Sequence, residues 1–478
     1  VSAVGDTLLY RQIAARITER IEQMQYVPGE RLPGVRKLSR QFGVSVGTVI
    51  QAQHLLEDQG RIEARPRAGY FVRARAPLPA APEPSRPSTR PTLVSGQAMA
   101  LRLVQATHQP GVVSFGAAVP AEGFLPVQAE RAALRRVVSR YAERATAYAF
   151  PPGVMELRVQ IARRMADAGC TVDPDEVIIT SGCQEALTLA LRAVAVPGDV
   201  IAIESPTFYG LLQVIESLGL KALEIPTHPD HGISLEALQV VLERWPVKAC
   251  VLVPNYSNPL GYCMPLARKH ALLALLAGHD VPLIEDDIWG DLGFGHERPP
   301  AVLAGDRDGR VLYCSSFSKT LSPGLRVGWI VPGRYREPVS YYKYVSNLAT
   351  ATLPQWVVAE LLAQGGYDRH LRRVRGEYAA HVARLSDAVA ESFPPGTRLT
   401  RPQGGCVLWV ELPQAVDSLV LYERAQARQI SIAPGPMFSA TGKYRPFIRL
   451  NAALPWGRPV EQAVVVLGDL AHQLAEGD

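Results

Sequence analysis

The run "SSFSKTLSPGLRVGW" sets Lys319 three residues after Ser316, beside Ser318 and seven before Arg326. A lysine among hydroxyls and an arginine reads as an amine held next to a phosphate, since cations and O–H donors converge on one anionic partner. A solvated loop lysine is the commoner fate of such a residue, so the neighbouring motifs decide. After the apolar run "EVIIT", the small-residue turn "SGCQEAL" opens a helix and leaves the backbone amides of Gly182, Cys183 and Gln184 to cradle an anion. "VPLIED" runs into "DIWGDL", which places three consecutive acids, Glu285, Asp286 and Asp287, at the end of another apolar run, and "ACVLVPN" leads into "YSNPLG" in the same way. The six cysteines lie far apart without CxxC spacing, which predicts reduced thiols and neither a zinc site nor a disulfide framework.

The elements that must carry these residues follow from the alternation of short β-branched runs ("EVIIT", "DVIAIE", "ACVLVPN", "VPLIED", "RVLYCSS", "RVGWIV") with helical stretches from residue 95 onward. Strands alternating with helices predict a mostly parallel α/β sheet covered on both faces. Ligands bind such sheets beyond the strand C-termini, where the polar residues above fall.

Taken in order, "TSGCQEAL", "SPTFYG", "YSNPLG", "IEDDIWGDL", "SSFSKTLSPGLRVGW" and "FIRLNAA" resemble the motifs of fold type I aminotransferases that use pyridoxal 5'-phosphate (PLP), over roughly residues 95 to 475. The resemblance implies Lys319 as the catalytic, Schiff-base lysine and Asp286, three residues before Trp289, as the partner of the pyridinium nitrogen, with Glu285 and Asp287 as rival acids. It implies Asn258 on the ring oxygen, Phe208 stacked on the ring, and the phosphate among Gly182, Cys183, Gln184, Ser316, Ser318 and Arg326. Cys183 is expected there for its backbone. Tyr148 is expected to reach the partner subunit's phosphate, which implies a homodimer with composite sites, and Arg449 to take a substrate carboxylate. Trp289 stands where such enzymes usually carry tyrosine, and Ala118 in "FGAAVP" stands where a Gly-x-Pro pattern is usual.

The first 80 residues hold twelve Arg/Lys against seven Asp/Glu, an excess of five, and the whole chain also carries +5. The basicity therefore belongs to the N-terminal piece and suggests a nucleic-acid partner. Leu9, Ile13, Ile17 and Ile21 form an amphipathic stripe. "VRKLSRQFG" predicts a short second helix ended by Gly43, and Ser45 caps a third over "VGTVIQAQHLLEDQG". "RIEARPRAGYFV" then alternates like two strands around a turn, completing a winged helix-turn-helix. These residues resemble the DNA-binding domain of GntR-type bacterial regulators over about residues 7 to 73. The resemblance implies contacts to double-stranded operator DNA from Arg36, Ser45, Thr48 and Gln51, with the wing around Arg65, Arg67 and Gly69 in the minor groove. The third helix has no Lys or Arg before its end, so base readout rests on Ser45, Thr48 and Gln51, or on Arg36 and the wing.

Six prolines from Pro77 to Pro91 mark a spacer, expected to extend like polyproline with a reach on the order of 40 Å. The expected organisation is a winged helix-turn-helix over 1–75, a linker over 76–94 and an aminotransferase-like domain over 95–478. Its large subdomain is expected at about 145–345, with a smaller α+β subdomain from 95–144 and 346–478. This fusion resembles the MocR group of GntR regulators across the chain. It implies a PLP-binding transcriptional regulator that senses PLP or an amino compound, with a working class I/II aminotransferase carrying a DNA-binding head as the alternative. A charged N-terminus and the lack of any apolar run near 18 residues predict a cytoplasmic protein without membrane insertion.

Overall fold

The computed structural model describes residues 3–65, 68–73, 77–88, 90–95, 99–106, 109–295 and 297–477, with backbone alone at 3–8, 58, 104 and 106. The chain divides into two compact units, Val1–Leu78 with Ala380–Ser392, and Pro79–Ala379 with Phe393–Asp478.

In the first unit, α1 (Ala3–Glu22), α2 (Val35–Phe42) and α3 (Val46–Asp58) are followed by the antiparallel pair β1 (Ile62–Arg65) and β2 (Gly69–Val72). Ile13, Ile17, Leu38, Val49, Ala52, Leu56, Ile62 and Val72 close one small core. Val35 and Phe42 are only half-buried at its edge. Gly43 ends α2 in the left-handed region at φ 66, returning its amide to the Ser39 carbonyl. The wing contact expected at Arg67 lies outside the described residues.

The second unit is built on a nine-stranded sheet. Its strands are β3 (Thr92–Leu93), β5 (Ile178–Thr180), β6 (Val200–Ser205), β7 (Lys221–His228), β8 (Gly232–Ile233), β9 (Val247–Leu252), β10 (Leu283–Asp286), β11 (Val311–Ser316) and β12 (Gly328–Val331), while β4 (Val113–Ser114) lies in another sheet. The order is β3-β7-β6-β9-β10-β11-β12-β5, with β8 also on β7. The central strands from β7 to β11 are parallel, and β12 runs antiparallel to both its neighbours. Alternate residues feed two cores: Ile178, Ile284, Leu312 and Ile330 enter one, and Ile179, Tyr313, Trp329 and Val331 the other. Both faces are thus covered, which explains why the strands read as continuous apolar runs. A smaller antiparallel sheet of β13 (Arg398–Leu399), β14 (Val407–Glu411), β16 (Ala433–Pro434) and β17 (Phe447–Asn451) follows in the C-terminal part, while β15 (Ile430–Ser431) pairs with β4. Among the described residues, no helix is long and apolar enough to cross a membrane.

The Pro-rich run does not stand free of this unit. Leu399 donates its amide to the Ala80 carbonyl, and Lys443 Nζ donates to that of Arg86. Ser85 is the peg: its hydroxyl donates to the Ser205 carbonyl at 2.5 Å and accepts from the Thr227 amide at 2.9 Å, while its own amide donates to the Thr227 carbonyl. Thr92 and Leu93 then pair with Ala222 and Lys221 as an edge strand. Prolines lack N–H groups, so a chain rich in them lies over a surface with few donors to satisfy.

Candidate functional site

Five strand ends deliver the side chains of one cleft, as the parallel topology demands. After the helices α4 (Met99–Ala106), α5 (Val127–Thr146) and α6 (Met155–Met165), β5 leads to Gly182 at the start of α7 (Cys183–Val194), β6 to Phe208 before α8 (Tyr209–Ser217), β9 to Asn258, β10 to Asp286 and β11 to Ser316 and Lys319. Together they surround a cavity of about 170 Å³ whose wall includes Cys183, Gln184, Phe208, Asn258, Asp286, Trp289, Ser316, Ser318, Lys319 and Arg326. Of the residues expected around a cofactor, Tyr148 alone points elsewhere: it is 72% exposed and stacks on Phe150.

At one end, Gly182 holds φ 89, and a Cβ there would come within 2.5 Å of Arg326 Nη2. Glycine is therefore required for the guanidinium to reach the N-terminus of α7, where it donates to the Ser181 carbonyl at 2.8 Å and to Ser318 Oγ at 3.3 Å. Arg326 itself sits at φ 53, a conformation rare outside glycine. Amides of α7, two serine hydroxyls and a guanidinium converge on this space, the donor set a phosphate dianion needs.

The three acids separate by strand alternation. Glu285 accepts from the Val302 and Leu303 amides on one side of β10. Asp287 is locked on that side by Arg298 at 2.6 Å, Tyr313 and Asn255. Asp286 alone turns into the cleft, where its Oδ1 accepts from the Ile288 amide and the Cys183 thiol. Burial pushes its carboxyl up to about 6, against those hydrogen bonds, which hold it down. Lys319 donates to the Ala118 carbonyl at 2.6 Å and stands 5.6 Å from the centre of the Trp289 ring. Burial lowers its ammonium to about 8, with Arg449 and Arg326 acting in the same direction.

Arg449 is fully buried beside the cleft. Its Nη1 donates to Asn258 Oδ1, its Nη2 to the Gly116 carbonyl, and its Nε has no hydrogen-bond partner among the described residues. The Tyr209 and Phe438 rings flank the guanidinium, and burial lowers its pKa. Tyr209, the Cys183 thiol and the carbonyls of Gly116 and Ala118 were missed from sequence. Tyr209 stands in the quoted "SPTFYG", but only the folded helix shows that Cys183 carries its thiol to Asp286.

In the first unit, Ser45 caps α3 by accepting from the Thr48 amide, and the two hydroxyls lie 2.8 Å apart. Thr48 is 4% exposed, so it organises the helix start and does not reach outward, against the expectation of a DNA contact. Arg36 and Gln51 are exposed. Arg65 is also exposed, pairs with Glu63 and lies over the Phe71 ring, and Gly69 at φ 97 sits against the Arg31 guanidinium.

A winged helix-turn-helix joined to an aminotransferase-like α/β body is the class these two units define. Residues 9–72 match the family of bacterial regulatory proteins, gntR family, and residues 112–464 match aminotransferase class I and II. The HTH-type transcriptional regulator YjiR of Escherichia coli strain K12 is 42% identical over 98% of this chain and 99% of its own, and YdcR of the same organism is 41% identical over 97% and 99%. The structure of LysN, an α-aminoadipate aminotransferase from Thermus thermophilus complexed with N-(5'-phosphopyridoxyl)-L-leucine, superposes with a TM-score of 0.74 at 30% identity, over 80% of this chain and 96% of that one. The chain belongs to the MocR-like family of GntR regulators, with a GntR DNA-binding domain fused to a fold type I aminotransferase-like domain.

Proposed function

We propose that this protein is a transcriptional regulator whose body holds PLP at Lys319, and that the cofactor, or an amino compound exchanging onto it, sets the head's affinity for an operator. The observation that carries this reading is the convergence of Lys319, Asp286, Asn258, Phe208 and the Gly182–Arg326 cradle in one cleft of a chain with a gntR-family head. The residues suit the group: the space at Gly182 excludes a Cβ and is rimmed by anion donors, and a buried carboxylate lines the same cavity.

When bound, PLP supplies an aldehyde that takes up amines and a ring that draws electrons from them. The chain does the rest. Arg326, Ser316, Ser318 and the first amides of α7 would bind the phosphate. Lys319, brought down to about 8, presents a neutral amine to a useful extent near neutral pH. Asp286 would pair its charge with the ring nitrogen and keep it protonated, Asn258 would donate to the ring oxygen, and Phe208 and Trp289 would pack against the ring. Arg449, already desolvated, offers a bidentate fork to a carboxylate that displaces the Gly116 carbonyl. Tyr148, outside its own cleft, serves the partner subunit of a homodimer. Free cysteines throughout suit a reducing cytoplasm.

Relatives that span the chain end to end are named as regulators, which favours this reading over a transaminase with an incidental head. A ligand controls DNA binding only by favouring one arrangement of the protein over another. The test is paired: an absorbance band of lysine-bound cofactor present in the parent and lost in Lys319→Ala, and an operator footprint that changes when PLP or an amine is added. A footprint identical with and without ligand refutes the sensing role.

A further inference from the structure

The outward face of α3 is uncharged and partly apolar. The Ser45 cap and the burial of Thr48, Val49, Ala52, Gln53 and Leu56 fix the rotation of the helix, so Val46, Gly47, Ile50, Gln51 and His54 face solvent. Val46 is 43% and Ile50 39% exposed, and they stand one turn apart on that face. The only acids of α3, Glu57 and Asp58, come in its last turn. Cations lie on α2 instead: Arg36, Lys37 and Arg40 are exposed, and none is paired with an acid among the described residues. Gly47 adds a second observation. A Cβ there would meet only Ser45 Oγ, at 3.7 Å, so the fold itself has no need of glycine at this position.

In a helix-turn-helix the second helix enters the major groove while charged residues on neighbouring elements hold the phosphates. The apolar group on the major-groove edge of a base pair is the thymine C5 methyl, and the adenine opposite presents the N6 donor and N7 acceptor that a side-chain amide matches. We propose that α3 reads A·T pairs by apolar contact: Val46 and Ile50 pack against thymine methyls, Gln51 takes the adenine edge, and Gly47 lets the backbone close in. This rests on the DNA-binding reading of the head and deepens it by naming the bases read.

The experiment uses the full chain and a duplex selected from random sequence, with each thymine replaced in turn by deoxyuridine, which removes the methyl alone. Binding is followed by fluorescence anisotropy. Affinity should fall roughly fourfold per contacted methyl. Val46→Ala or Ile50→Ala should weaken binding to the thymine duplex, erase the deoxyuridine effect at its own position, and leave the slope of log K against log salt unchanged, since no phosphate contact is lost. A selected duplex indifferent to every methyl, or a methyl effect that persists in both variants, overturns the inference while leaving DNA binding standing. Selection of no duplex overturns the DNA-binding reading and this inference with it.

Discussion

Replacing Asp286 with asparagine should stabilise the cofactor-free protein while weakening its hold on PLP. The carboxyl lies in the cleft wall, 5% exposed, with its folded pKa raised by burial from 3.8 to about 6. A group that binds its proton more tightly in the folded state costs stability as pH rises from below 4 through 6, because the folded protein must ionise a buried acid that ionises freely when unfolded. Integrated over that window, the cost is about 3 kcal/mol at pH 7.5 and about 1 kcal/mol at pH 4.5, from a shift of roughly two units at 1.4 kcal/mol each. Asparagine keeps the shape and an oxygen for the Ile288 amide and the Cys183 thiol, and it removes the charge. Urea unfolding of the cofactor-free variant should therefore shift to higher denaturant at pH 7.5, with the gain shrinking towards pH 4.5. PLP titration by absorbance should show affinity reduced at least tenfold, the ring nitrogen having lost its counter-charge. A variant less stable than the parent at pH 7.5, or one that binds PLP as tightly, refutes the view that this carboxylate is held in the cleft at a cost in stability for the sake of the cofactor.

The neighbouring acid should behave in the opposite way. Arg298→Ala strands the fully buried Asp287 and breaks the second pair to Asp291, so unfolding should show a loss of about 3–5 kcal/mol; a loss under about 1 kcal/mol would contradict the network described here. Gly182→Ala forces a Cβ against Arg326 at φ 89, and by displacing a charge-assisted donor set should cut PLP affinity roughly 10- to 100-fold while the far-ultraviolet circular dichroism stays unchanged. Retained affinity would show that the cradle tolerates a side chain.

The fold class and the division into a basic head and an α/β body were legible because continuous β-branched runs, helix caps and charge asymmetry are local properties of the chain. The cleft was legible for a different reason: parallel strands bring their C-terminal ends to one edge, so residues after each apolar run meet whatever their separation in sequence. Period-two alternation turns Asp286 to the cleft and Glu285 and Asp287 behind it. What escaped depends on rotation and long-range packing. Thr48 looks like a contact residue in the motif "SVGTV", yet the cap that makes the helix start also turns its hydroxyl inward. The Cys183 thiol was set aside for the same reason, its direction being invisible before the first turn of α7 is placed. The docking of the Pro-rich run escaped because composition reports stiffness and missing donors but says nothing of the single serine that pegs it.

That peg changes where the body ends. Ser85 meets Thr227 of the strand β7 in the large sheet, and Thr92 and Leu93 pair with Ala222 and Lys221 of the same strand. An outer strand stripped of its cover offers unpaired N–H and C=O groups to any other extended chain, including a second copy of itself. A body cut free at residue 95, where the motifs begin, would leave that margin bare and prone to self-association, whereas one beginning at Pro79 keeps its guard. The segment that looked like a tether is also the hem of the sheet, and any event that lifts it exposes a sticky surface as well as lengthening a leash.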